Sequence, residues 1–220
     1  MILTRRAFTA AASTTALLAA AGFSPLRLVG EALAQTASPA DIAKPSPLGD
    51  MTLGPADAPC TIVEYASMTC PHCADFHKNV FPKLKETYID TGKVRFIFRE
   101  FPLDIKAAAG SMLARCIGKD DSKKYFAVVE TLFHSQNDWV MNNTTESLKR
   151  IGKQAGMSDQ SFSECLANQP LLDALKATQD HAVEKLKVNS TPTFFVNGTM
   201  LKGGSSFEDF DKLIKPTLKS

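Results

Sequence analysis

Thr61-Ile-Val-Glu-Tyr-Ala-Ser-Met-Thr-Cys-Pro-His-Cys-Ala-Asp-Phe76 carries two cysteines three positions apart at the end of an apolar run. Thr61 to Ala66 is rich in β-branched and aromatic residues, which favours a strand. Pro71 has the fixed backbone angle suited to the first position of a helix. The stretch reads as strand, tight connection and helix, with Cys70 at the helix entrance and Cys73 one turn inward.

Outward from this point the pattern stays regular. Phe76, Val80 and Leu84 recur every four residues and make one apolar helical face, with Pro82 set to bend or interrupt it. Gly92 ends the segment, and Lys93-Val-Arg-Phe-Ile-Phe-Arg99 reads as a second strand, giving the strand-helix-strand unit of parallel sheets. From about 105 to 186 the pattern is helical: Lys106 to Ile117, Tyr125 to His134 and Thr145 to Gln154. Asn143-x-x-Glu146 and Ser161-x-x-Glu164 resemble capping boxes and place helix starts near them. Thr193-Phe-Phe-Val196, Asn197-Gly198 and Thr199-Met-Leu-Lys202 spell a β-hairpin, and a last helix runs from Phe207 to Ile214. Trp139 and Phe76, Phe96, Phe98, Phe194 and Phe195 fall on the periodic faces expected of a core. The order describes an α/β fold over 51–220, interrupted by a helical insertion at about 105–186.

The beginning of the chain reads differently. Met1 to Ala34 combines a basic start at Arg5 and Arg6, a modest apolar stretch and the small-residue site Ala32-Leu-Ala34, the features of an export signal. Arg5, Arg6 and Phe8 resemble the twin-arginine variant, with an ordinary secretory signal as the alternative. The hydroxyls of Thr9, Ser13, Thr14 and Thr15 dilute the apolar stretch and speak against a membrane anchor. Residues 35–50, with three prolines and few large apolar side chains, read as an extended arm. The leader holds three of the 25 basic and one of the 23 acidic residues, which leaves 22 of each in 35–220. That neutral balance gives no footprint for nucleic acid. A periplasmic destination follows from the leader reading.

Two thiols at this spacing answer to a metal clip, a haem attachment site or a pair that cycles through a disulfide. A structural metal needs four ligands, and His77, His134 and His181 are scattered with no second Cys-x-x-Cys. Haem attachment needs a histidine directly after the second cysteine, where this chain has Ala74. The redox reading gives each residue a task. Cys70 sits where backbone N–H groups lack intrahelical partners and the helix dipole favours a thiolate. His72 adds a positive charge or a donor beside it, and Pro71 stiffens the turn. A thiol pKa lowered by about three units favours the reduced form by roughly 4 kcal/mol, so the disulfide is an oxidant. Cys73 is the resolving thiol. Glu64, six residues before Cys70 in an apolar strand, is either solvent-facing or a proton carrier for a buried thiol.

The sequence "TIVEYAS" leading to "CPHC", with "TPTFFVNG" far downstream, resembles the DsbA family of thioredoxin-fold periplasmic oxidases, and its alphaproteobacterial branch in particular. The likeness runs from about Leu53 to Ile214. It implies a thioredoxin-like fold with an inserted helical domain and no cofactor. It implies a cis peptide before Pro192, facing the active disulfide, and a backbone at Thr191 that pairs with the substrate; read alone, Pro192 also fits a trans proline opening an edge strand. It implies a buried acid at Glu64. The partners implied are exported proteins with free thiols and a membrane quinone-linked reoxidant of the DsbB type, and the enzyme is expected to be a monomer. Thr191 also occurs in isomerase-like and reductase-like relatives, so the motif leaves the direction of electron flow open, and a metal chaperone using the cysteine pair is the non-enzymatic alternative. Cys116 and Cys165 both lie in the insertion; an oxidising compartment allows them to pair and the branch resemblance points the same way, against two separate buried thiols. Cys60 reads as a small core residue.

Overall fold

The computed structural model describes residues 37–219. Five strands, β1 (Met51–Leu53), β2 (Cys60–Ala66), β3 (Val94–Glu100), β4 (Thr193–Val196) and β5 (Thr199–Lys202), form one sheet in the order β1-β3-β2-β4-β5. Only β2 and β3 are parallel; the other neighbours run antiparallel. The parallel pair needs a crossover, and the segment holding the thiols supplies it: α2 (Pro71–Asn79), α3 (Phe81–Leu84) and a π-helical turn, Lys85–Ile89. Pro82 sits in the first turn of α3, so the interruption falls at Val80, where the proline ring cannot be accommodated by a continuing helix. The hairpin β4–β5 turns through Asn197 and Gly198, both with positive φ (44° and 91°), as a tight two-residue turn requires.

Alternation along the strands sorts the side chains into two layers. Ile62, Val94, Phe96, Phe98, Phe194 and Val196 face one side, where they meet Phe76 of α2 and Phe210 and Ile214 of α10 (Phe207–Ile214). Val63, Tyr65, Ile97 and Phe195 face the other.

Between β3 and β4 lie six helices: α4 (Ile105–Gly118), α5 (Ser122–His134), α6 (Gln136–Met141), α7 (Thr144–Gln154), α8 (Asp159–Leu166) and α9 (Gln169–Glu184). They share the core of the sheet: Leu113, Ala114, Tyr125, Phe133, Trp139 and Leu148 belong to the same apolar cluster as Ile62 and Phe96. Asp104, Asp121, Asn143 and Asn168 each accept a backbone N–H at the start of a helix. Helix α8 departs from the sequence reading. Its cap is Ser158, whose hydroxyl accepts from Ser161 N, so Ser161 is the third helical residue and not the cap. The helix starts one turn earlier because Ser158 offers the same chemistry three residues upstream.

The arm is also not simply extended. Pro39–Ala43 forms a one-turn helix, α1, with Pro39 at its start, and Ile42 is buried with Ala37 against Val63, Tyr65 and Ile97. Apolar contact on the far face of the sheet draws this turn in. Arg99, 1% exposed, fastens it by donating to both carboxylate oxygens of Asp50 (2.9 Å each), to the Ile42 carbonyl (2.9 Å) and to the Tyr65 hydroxyl (2.8 Å). A second buried cluster ties α4 and α5 to β3: Arg115 and the Tyr125 hydroxyl both donate to Glu100. The leader reading for 1–34 lies outside the described residues.

Candidate functional site

Cys70 is the N-cap of α2, in extended conformation (φ −76°, ψ 120°), and Pro71 is the first helical residue. The Cys70 N–H closes a turn onto Ser67 O (3.1 Å), and its carbonyl accepts Ala74 N–H (3.1 Å). The thiol faces the strand end that follows the helical insertion, where Cys70 donates S–H to the Thr191 carbonyl at 3.3 Å. The Thr191–Pro192 peptide is cis. Cys70, Cys73 and Cys60 are free thiols, whereas Cys116 and Cys165 are disulfide-bonded with Cα atoms 6.1 Å apart.

The two thiols of the pair differ sharply in acidity. Cys70 is lowered to about 5, chiefly by a hydrogen bond from the Cys73 thiol; burial opposes this, and the Thr191 hydroxyl and the backbone N–H groups of Cys73 and His72 reinforce it. Cys73 is fully buried and held well above the ordinary thiol range, first by burial, then by its bond to Cys70 and the negative charge of Glu64. One sulfur is therefore a thiolate at neutral pH and the other keeps its proton. His72 contributes through its backbone N–H, not through its ring: the side chain is exposed, because the first turn of α2 directs it away from the sheet.

Glu64 is completely buried, which removes the solvent-facing alternative. It lies on the α2 side of β2, opposite Phe98 of β3 and Phe194 of β4. Its Oε2 is 3.0 Å from Nε2 of His77, itself 1% exposed. His77, read from the sequence as one of three scattered histidines, is thus drawn under the thiols. The signal for it was present: His77 follows Cys73 by four residues and shares its helix face, and Glu64 shares with Ile62 the parity that points to that face.

Gln136 was also missed. Buried in α6, it donates through Nε2 to the carbonyls of Met68 (2.9 Å) and Cys70 (3.0 Å), pinning the loop that presents the nucleophile. Asp104 supports the same loop, accepting Thr69 Oγ1–H (2.6 Å) while it caps α4. Neither contact to the loop carries a local motif, since each spans more than thirty residues. Cys60 is buried in the core, remote in role from the pair, and burial raises its pKa. Among the described residues no group of three or more His, Cys, Asp or Glu side chains is placed to hold a metal ion.

An acidic thiol at a helix entrance, backed by a buried thiol that donates to it, is suited to disulfide exchange, and comparison with known proteins points to the same chemistry. The thioredoxin family pattern matches residues 46–216. A Rickettsia bellii protein named as a protein-disulfide oxidoreductase is 36% identical over 157 residues, 71% of this chain and 60% of its own length. The chain thus spans less than two thirds of the length of this rickettsial relative. Disulfide bond formation protein D of Bacillus subtilis is 28% identical, with 80% of each chain covered. The crystal structure of alpha-DsbA1 from Wolbachia pipientis superposes with a TM-score of 0.73 at 33% identity, covering 81% of this chain and 97% of that one. With the fold, the Cys-Pro-His-Cys helix entrance and the cis peptide opposite it in place, the chain belongs to the thioredoxin family and, within it, to the DsbA family.

Proposed function

We propose that this chain is a thiol:disulfide oxidoreductase that hands the Cys70–Cys73 disulfide to proteins acquiring their own disulfides. The observation that carries the reading is the division of labour between the sulfurs: Cys70 lowered to about 5, Cys73 raised and buried. A thiolate stabilised in the reduced enzyme makes the disulfide the high-energy state, which is what an electron acceptor requires. A substrate thiolate attacks Cys70 and expels Cys73; the Thr191 backbone, beside Pro192, aligns the incoming chain; a second substrate thiol releases reduced enzyme. Pro71 and the His72 N–H shape the turn, and Glu64 handles the proton of Cys73. Regeneration falls to an external oxidant, by family analogy a quinone-linked membrane partner of the DsbB type.

Work outside the bacterial cytoplasm, in the periplasm, is supported by the export-signal reading of 1–34 and by the Cys116–Cys165 disulfide, a kind of bond that persists in oxidising compartments. Equilibration with glutathione buffers, following Cys70 and Cys73 separately from Cys116 and Cys165 by peptide mapping, tests the direction of flow. A reduction potential above roughly −200 mV is expected. A value well below it would make the protein a reductase and remove the oxidase reading.

A further inference from the structure

Beneath the thiols two buried polar atoms have no hydrogen-bond partner, Glu64 Oε1 and His77 Nδ1. They are the outer atoms of one bonded pair, joined through Oε2 and Nε2 at 3.0 Å. Unpartnered buried polar atoms are costly and rare in native cores, so two on one pair call for a reason. One member acts on Cys73, which feels the charge of Glu64. The other reaches the outside: His77 lines a surface cavity of about 340 Å³ together with Lys85, Glu86, Asp90, Glu130 and His134. Its ring is held in place, stacked on Phe133 of α5 with centroids 4.4 Å apart and flanked by Phe81 of α3 at 4.9 Å.

We propose that Glu64 and His77 form a proton path from this surface cavity to Cys73, entering behind α2 instead of through the mouth of the site. The proposal rests on the oxidase reading and deepens it. Cys73 is inaccessible even in the free protein, and a substrate joined to Cys70 covers the mouth further. When the substrate thiolate bonds to Cys70 Sγ, the Cys70–Cys73 bond breaks and its electron pair goes to Cys73. Cys73 takes a proton that His77 passes across the Glu64 carboxylate, and His77 takes one in turn from water in the cavity. The second substrate thiolate attacks the substrate sulfur of the mixed disulfide, and Cys70 leaves as a thiolate. The enzyme gains two electrons and one proton; the substrate loses two electrons and both thiol protons. Reoxidation sends the Cys73 proton back along the same path. A fixed imidazole suits this task, since it can accept at one nitrogen and release at the other.

The groups around the path set its pH response. From α2 the pair meets Cys73 and Phe76, from β3 Phe98, and from α5 Phe133 and the Tyr125 hydroxyl, which feels the charge of Glu64. Tyr125 and Arg115 are engaged by Glu100, and Lys85 by Asp90. At the cavity, Glu86, Glu130 and His134 have no ion pair among the described residues, which leaves them free to feed the entrance. His77 acts on Cys73 through Glu64 and is a positioning residue.

The test reads the full-length protein first. Nitrogen NMR of the His77 ring, followed from about pH 5 to 8 in disulfide and dithiol states, is expected to show ring nitrogens whose shifts depend on the redox state. Identical titrations in both states overturn the proposal. His77→Gln keeps a donor for Glu64 yet cannot pass a proton. Its single-turnover oxidation of a dithiol peptide is expected to slow at least about tenfold near neutral pH and to lose the wild-type pH dependence, with the Cys70 thiolate absorbance still titrating as in wild type. An unchanged rate and pH profile in His77→Gln overturns it too. If that variant does not fold, the wild-type NMR decides. Failure of the wild type to oxidise the peptide, with redox-dependent His77 shifts intact, counts against the oxidase reading and not against the path.

Discussion

Cys70 and Cys73 are three positions apart and hold their protons with opposite tenacity, and this single contrast sets a measurable pH dependence. In the folded, reduced protein Cys70 titrates near 5, well below its ordinary 9.0. A depressed folded value contributes stability that is fully present above the unfolded value and is lost as pH falls through the folded one. Cys73, raised instead, is protonated in both states below about pH 8 and adds no slope there. The disulfide form has neither group. Reduced protein is therefore expected to unfold at higher temperature than oxidised protein at pH 7, with the gap shrinking as pH is lowered towards 5. Paired melting curves check this; a gap that widens on acidification contradicts it. Thiolate absorbance of the reduced protein is expected to give a midpoint near 5.

At the scale of elements, the sequence disclosed what local chemistry controls. The strand at Thr61, the proline-led start of α2, the break at Pro82 and the Asn197-Gly198 turn are set by residues adjacent in the chain, and all four are where the pattern placed them. It did not disclose β1, because three residues are too few to show alternation, nor the packed turn α1, because its helix is held by partners on distant strands. Glu64 was legible as an anomaly in an apolar strand and His77 by its place one turn beyond Cys73, but their pairing was not read, since it depends on α2 folding back over β2. Gln136 shows the same limit, and it offers a test of how α6 serves the site. Gln136→Leu leaves the Met68 carbonyl buried without a donor and the Cys70 carbonyl with the Ala74 N–H alone. A loss of about 1–3 kcal/mol in urea unfolding is expected, together with a rise in the Cys70 midpoint as the loop loosens. Unfolding at the wild-type midpoint with unaltered thiolate titration would deny Gln136 that role.

Over the whole molecule, the helical insertion is both packed on the sheet and stapled within itself. The Cys116–Cys165 bond spans 49 residues and joins α4 to α8, beside Met112 and Leu175 and apart from the cluster that surrounds the redox pair. Replacing both cysteines by serine is expected to lower stability by about 4 kcal/mol in the chain-entropy account while leaving the Cys70–Cys73 potential unchanged. Denaturant titration and a glutathione equilibrium measured on the same variant separate the two effects; a displaced potential would mean that the staple also tunes the site.

The insertion has a further consequence, one of timing. The carbonyl that caps Cys70 belongs to Thr191, 121 residues later in the chain. At ordinary rates of translation that distance is roughly 6–24 s of synthesis. Throughout this interval neither β4 nor the Thr191 carbonyl exists to meet the Cys70 thiol. The wall of the site that faces Cys70 is therefore in place only when the last fifth of the protein has been made.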